Sequence, residues 1–145
     1  MKIDLIDLQD YEIDAAFVRR VALRAAAAAG ATSGRLTIAL VDDARIRDLN
    51  RAHRRRDRPT DVLAYGGDEE DPSYLGDVVI SVETAARQAE EALRPLLHEV
   101  AWLAAHGVLH LLGYDDGADA DRAAMVARQD EALGHCLSPR GSADQ

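Results

Sequence analysis

The chain has a single cysteine, Cys136, among 145 residues, so it cannot form an internal disulfide, and a reducing compartment is the expectation. With no motif around it, Cys136 reads as a small apolar residue near the C-terminus. There is no long hydrophobic run either. The stretch 96–112 comes nearest to the ~20 apolar residues that span a bilayer, but His98, Glu99, His106 and His110 interrupt it. The opening residues, Met-Lys-Ile-Asp-Leu-Ile-Asp, alternate and carry acids, which suits a strand and not the apolar core of a secretory signal. No repeat and no low-complexity linker divides the chain. These absences point to a soluble cytoplasmic protein with one domain over 1–138 and a disordered tail over 139–145, long enough to bury a core without staples.

Positive charge is also scarce overall. The net charge of −9 argues against a generally basic nucleic-acid binder. The basic residues are nevertheless concentrated. Between Arg45 and Arg58 stand seven Arg and two Asp (Asp48 and Asp57), a local charge of +5 that leaves −14 for the rest of the chain. An acidic body with one arginine strip can hold a polyanion at one place and repel it elsewhere. The competing reading is a solvated helix face followed by a charged loop.

Local patterns predict alternating strands and helices. Residues 2–7, 35–41, 61–65 and 74–80 read as extended. Residues 12–29 read as a helix with Ile13, Phe17 and Val21 inward and Gly30 ending it. Asp42 or Asp43 can cap a helix over 43–52 with Ile46 and Leu49 inward, and Ser81 can cap another over 82–93. Residues 53–59 form a charged loop and 66–73 an acidic one. The stretch 96–112 is apolar nearly all round and so is expected at the centre of the fold. Gly107 within it suggests close approach of another backbone or of a ligand. A last amphipathic helix covers 118–134. The sum is an α/β layered fold: about four strands in one mixed sheet, with around five helices.

The chemistry concentrates in 106–116, His-Gly-Val-Leu-His-Leu-Leu-Gly-Tyr-Asp-Asp. His106 and His110, four apart on a helix, stack on one face. Gly113 lets the chain turn back, so that Asp115 or Asp116 can bring a carboxylate to the same point. Two imidazoles and a carboxylate leave the fourth position of a tetrahedral zinc ion open for water, as in catalytic sites. The residues therefore suggest a hydrolase with a metal-activated water.

Three stretches together resemble the YbeY-type rRNA maturation factors, the single-strand-specific metallo-endoribonucleases of bacteria. They are His106-Gly107-x-Leu109-His110-Leu111-x-Gly113-Tyr114-Asp115; Leu49-Asn50, Arg54 to Asp57 and Pro59-Thr60-Asp61-Val62-Leu63; and Leu75-Gly76-Asp77-Val78-Val79-Ile80-Ser81. The resemblance spans roughly 34–135 and implies one zinc ion held by His106, His110 and the residue after Gly-Tyr-Asp. In the family that residue is His; here it is Asp116, which also has acceptable ligand chemistry. A smaller departure is Ala64-Tyr65-Gly66 in place of Ser-Phe-Pro. The resemblance further implies Arg54 as the catalytic arginine and single-stranded RNA as substrate, with Arg54, Arg55, Arg56 and Arg58 contacting its phosphates. Maturation of the small-subunit rRNA 3′ end, ribosome quality control and the small ribosomal subunit as partner come with it. Asp61 and Asp115 are expected as local caps or outer partners of the site.

Two rivals stand beside this reading. The frame His106-x3-His110-x2-Gly113-x2-Asp116 also resembles metzincin zinc proteases, but these need Glu after the first His, and Gly107 has no side chain to activate water. A ribosome-assembly factor that binds rRNA without cutting it is the other, kept open by Asp116.

Overall fold

A computed structural model describes residues 1–115 and 117–138. In chain order the elements are β1 (Lys2–Asp7), α1 (Ala15–Ala28), β2 (Arg35–Val41), α2 (Asp43–Arg54), β3 (Val62–Gly66), β4 (Tyr74–Ser81), α3 (Val82–Ala92), α4 (Leu96–Leu111) and α5 (Asp119–Leu137). The strands form one mixed sheet in the order β1-β2-β4-β3. β1, β2 and β4 run parallel, and β3 is antiparallel to β4 on the far edge. Among the described residues no helix is long and apolar enough to cross a membrane.

The alternation of side chains along each strand divides the interior into two unequal parts. Leu36, Ile38 and Leu40 of β2, with Val78 and Ile80 of β4, point to a large core shared with α1, α4 and α5. Val41, Leu63 and Val79 point the other way and meet Ile46 of α2 in a small core. The large side holds α4 between the sheet and the other helices, which explains why Val100, Ala101, Ala104, Val108 and Leu109 are all fully buried. The expected mixed sheet and central helix are both present.

Boundaries moved where a side chain captured a backbone amide. The first helix starts at Ala15, not at residue 12, because the Asp14 carboxylate accepts from Phe17 N at 3.2 Å and makes Asp14 the cap. Gly30, at φ +87°, follows its end as expected. Asp42 caps α2 through Arg45 N (2.8 Å), and Ser81 caps α3 through Thr84 N (3.2 Å). α2 continues two residues past the expected end, to Arg54, and stops where Arg55 turns left-handed at φ 57°. The last helix is shifted later, to Asp119–Leu137.

Asp43 ties three elements together. Its carboxylate accepts from Ser81 Oγ and Thr84 Oγ1, each at 2.6 Å, and from Arg87 Nη2 at 2.9 Å. Its own amide donates to Glu83 Oε1 at 2.8 Å. Burial alone would push the Asp43 carboxyl up, but the bonds from Ser81, Thr84 and Arg87 outweigh it and hold the group below its ordinary value. A depressed folded-state value means stability that is present above the unfolded-state value and fades as pH falls. Asp43→Ala is therefore expected to cost about 1–3 kcal/mol at pH 7. Urea unfolding should show that loss shrinking below about pH 4. A loss that stays constant from pH 7 to pH 3 would mean that the charge on Asp43 is irrelevant.

Candidate active site

The sequence places His106 and His110 one turn apart, and α4 aims both at the same point. Their Nε2 atoms lie 3.1 Å apart, with the rings edge to face. Both side chains are half-buried at the floor of a cleft of about 500 Å³. One wall of the cleft is α4; the other is β3 and the loop that leads into it from α2.

Gly107 makes this seating possible, and the neighbour it admits differs from expectation. A Cβ at residue 107 would lie 2.4 Å from Val78 Cγ1. The close approach is thus to a side chain of β4 and not to a second backbone, while Gly107 also lines the cleft between the two imidazoles. With hydrogen at that position, α4 settles on the sheet and the flanking imidazoles open onto the cleft that the edge strand β3 also lines.

The arginine strip divides in two. Arg47 makes a fork with Asp57, Nε to Oδ1 at 2.8 Å and Nη2 to Oδ2 at 3.2 Å. Arg51 pairs with Asp48 at 3.0 Å and reaches Asp57 at 3.8 Å. Arg54, Arg56 and Arg58 instead line the cleft opposite the imidazoles. Arg54 Nη2 donates to Ala64 O of β3 at 3.2 Å, a bond that ties the end of α2 to the edge strand across the cleft wall. Arg55 does not line the cleft; its contribution is the left-handed backbone that turns the chain. Of the four arginines expected to contact phosphates, the cleft brings together Arg54, Arg56 and Arg58 and leaves out Arg55.

Two residues matter here in ways the sequence did not show: Asn50 enters only as part of a resembling stretch, and Gln129 not at all. Asn50, 3% exposed, receives the amides of Arg55 and Arg56 on its carbonyl and donates Nδ2 to Arg58 O at 2.9 Å. It fixes the loop that presents the arginines. Gln129 of α5 has no exposed surface and sets Oε1 3.1 Å from His106 Nδ1. The available signal in both cases was a polar residue on the inward face of an amphipathic helix: Asn50 beside Ile46, and Gln129 between Met125 and Leu133.

Asp61 lies in the cleft wall, where its carboxylate accepts from Val62 N at 2.7 Å and from Gln88 Nε2 at 3.3 Å. Asp115 Oδ1 accepts from Gly117 N at 3.0 Å, a local turn. Asp116, the third expected ligand, lies outside the described residues, as does the tail expected over 139–145. Among the described residues no cluster of three His, Cys, Asp or Glu is poised around one point. The pair itself fits a metal: two imidazole nitrogens converge at a separation suited to neighbouring ligands of one ion, and imidazole is a preferred donor for zinc.

The family model described as Endoribonuclease YbeY matches residues 4–136. The Endoribonuclease YbeY of Moorella thermoacetica is 48% identical over 124 residues, which cover 77% of this chain and 80% of that protein. That of Synechococcus elongatus is 50% identical over 102 residues, 64% of this chain and 58% of that protein. The aligned stretch thus spans four fifths of one relative and under two thirds of the other. In three dimensions the chain is similar to TM1509 from Thermotoga maritima, whose solution structure superposes with a TM-score of 0.63 at 24% identity over 91% of this chain and 88% of that one. That similarity bears on the fold.

The packing at Gly107 carries a test. In Gly107→Ala the clash with Val78 outweighs the ~1 kcal/mol that alanine gains in a helix, for a net loss of about 1–2 kcal/mol. Val78→Ala removes the clashing atoms, so in urea unfolding the double substitution should cost less than the sum of the singles. Strict additivity would show that the two residues do not set the depth of α4.

Proposed function

The chain belongs to the endoribonuclease YbeY family, and from that premise we propose that it is a metal-dependent endoribonuclease that cuts single-stranded RNA in the cleft between α4 and β3. One observation carries the proposal: two converging imidazoles face three arginines across a single opening. Phosphodiester cleavage needs both kinds of group, one to activate water and one to receive the developing charge.

His106 and His110 would hold the ion, zinc by the chemistry of its donors, and Asp116 would complete the set by its place directly after Gly-Tyr-Asp. When bound, such an ion supplies an acidified water and a Lewis acid for a phosphoryl oxygen. The remaining work belongs to the chain. Arg54, Arg56 and Arg58 receive the phosphates, and the bond from Arg54 to Ala64 O orders its guanidinium in advance. Their planar forks suit phosphate oxygens, and Asp57 does not neutralise them because Arg47 and Arg51 occupy it. The negative charge elsewhere keeps RNA from settling off the cleft. Gly107 supplies no carboxylate next to His106, which removes the water-activating group that a protease of this spacing needs.

In the cell, the family assignment favours rRNA as the substrate: maturation of the small-subunit rRNA 3′ end and ribosome quality control in the cytoplasm, with the small subunit as partner. A binding-only assembly factor is the second reading, favoured by the Asp116 departure.

Cleavage and binding assays on one single-stranded RNA test the site. Arg54→Ala should lower kcat/KM by about 10²-fold and reduce the salt slope of RNA binding by about one. Arg24→Ala, on the α1–α5 side and paired with Glu131, should leave both unchanged. Equal effects from the two would reduce the arginine cluster to solvated surface.

Zinc content tests the third ligand. Asp116→Ala should lose stoichiometric zinc and cleavage, while Asp116→His should keep both. An Asp116→Ala protein with full zinc and full activity would remove Asp116 from the set. A wild-type chain that binds RNA and zinc without cutting would favour the assembly factor.

A further inference from the structure

Gln129 occupies the apolar seam of α5 with Met125, Ala132 and Leu133, and both ends of its amide are bonded to α4. Nε2 lies 3.3 Å from Trp102 O, and Oε1 lies 3.1 Å from His106 Nδ1. The chemistry of the partners orients this chain of bonds. A backbone carbonyl only accepts, so the amide end facing Trp102 is the nitrogen and the end facing His106 is the oxygen. An amide oxygen also only accepts, so Nδ1 of His106 carries the proton. In a neutral ring the lone pair is then on Nε2, the atom that meets His110 Nε2 on the cleft floor.

We infer that Gln129 is a positioning residue that presets His106 as an Nε2 ligand, fixing its tautomer and ring angle before any metal arrives. The reference point is the Trp102 carbonyl, one turn earlier on the same helix, so the amide spans one turn of α4 and holds the imagined lone pair in register with it. An amide suits the place better than a carboxylate. The second oxygen of a Glu would face the Trp102 carbonyl, acceptor against acceptor, and would bring a charge into a fully buried position. The link to metal binding rests on the reading of His106 and His110 given above; the tautomer does not. Outer partners of metal-bound histidines typically change metal affinity 10–100-fold.

The α5 helix supplies its own control. Asp130, next to Gln129, accepts from Trp102 Nε1 at 2.9 Å. Asp130→Ala loosens the same α4–α5 contact without touching His106. A purely structural role for Gln129 predicts that the two positions behave alike.

The test uses the metal-free full chain with 15N-labelled histidine, at a pH where the rings are neutral, and long-range 15N–1H correlation to read the tautomer. Wild type and Asp130→Ala should show His106 protonated at Nδ1. Gln129→Leu should shift it toward the Nε2–H form that a free imidazole prefers. Zinc affinity, by competition with a chromophoric chelator, should fall about 10–100-fold in Gln129→Leu and stay near wild type in Asp130→Ala. Trp102, the only tryptophan, reports folding of each variant by fluorescence. His106 protonated at Nε2 in the wild type overturns the inference, and this spectrum decides even if Gln129→Leu does not fold. Equal zinc losses in Gln129→Leu and Asp130→Ala also overturn it. A wild-type chain with the Nδ1–H tautomer and no zinc uptake supports the lock and sinks the metal-site reading instead.

Discussion

The contact of Gly107 with Val78 sets the geometry on which the site depends. It lets a helix that is apolar nearly all round lie directly on β4, and the two residues that flank it in the helical stack, His106 and His110, then emerge beside the edge strand β3. The hydrophobic effect drives α4 inward, since its buried residues are surrounded by sheet on one side and by α1 and α5 on the other. The site is therefore made where the large core meets the sheet edge, and its imidazoles are held by packing on a rigid element.

The opposite wall is built by a different kind of force. α2 is short and covers only the small core, so polar links hold it at both ends. At its start Asp43 joins it to β4 and α3. At its end Asn50 gathers the backbone of Arg55, Arg56 and Arg58. Between them, Asp57 draws Arg47 and Arg51 together and so sorts a single run of arginines into a self-neutralised outer group and a cleft group. The same charges that look like one strip in sequence do two jobs in space. One consequence is that the positive field is focused on the opening and is not spread along the helix.

Much of this was legible in the sequence where the signal is local. The strand over 35–41 is bounded as read because its alternation matches the pleat and Asp42 ends it with a cap. The central helix was legible because no face of it is polar enough for solvent. The histidine pair followed from helical spacing alone. What sequence did not reveal depends on partners remote in the chain. Gln129 reaches a carbonyl 27 residues away, and the methyl that faces Gly107 belongs to Val78 on another element. Asn50 stood in a resembling stretch with no role attached, and its bonds to the loop appear only once the chain folds back on it. The start of α1 was misplaced for a smaller reason: Asp14 competes for the Phe17 amide and ends the helix there, although the apolar stripe extends through Ile13.

In the proposed enzyme the imidazoles of α4 hold one metal ion facing the arginines of the α2–β3 loop. Anomalous diffraction from crystals of the zinc-loaded chain locates that ion. The expected map has one zinc peak per chain, bonded to Nε2 of both His106 and His110 in the cleft, with the guanidinium of Arg54 across the opening. A stoichiometric zinc peak bound elsewhere, or an empty histidine pair in a chain that still cleaves RNA, would rule out a metal centre at this pair.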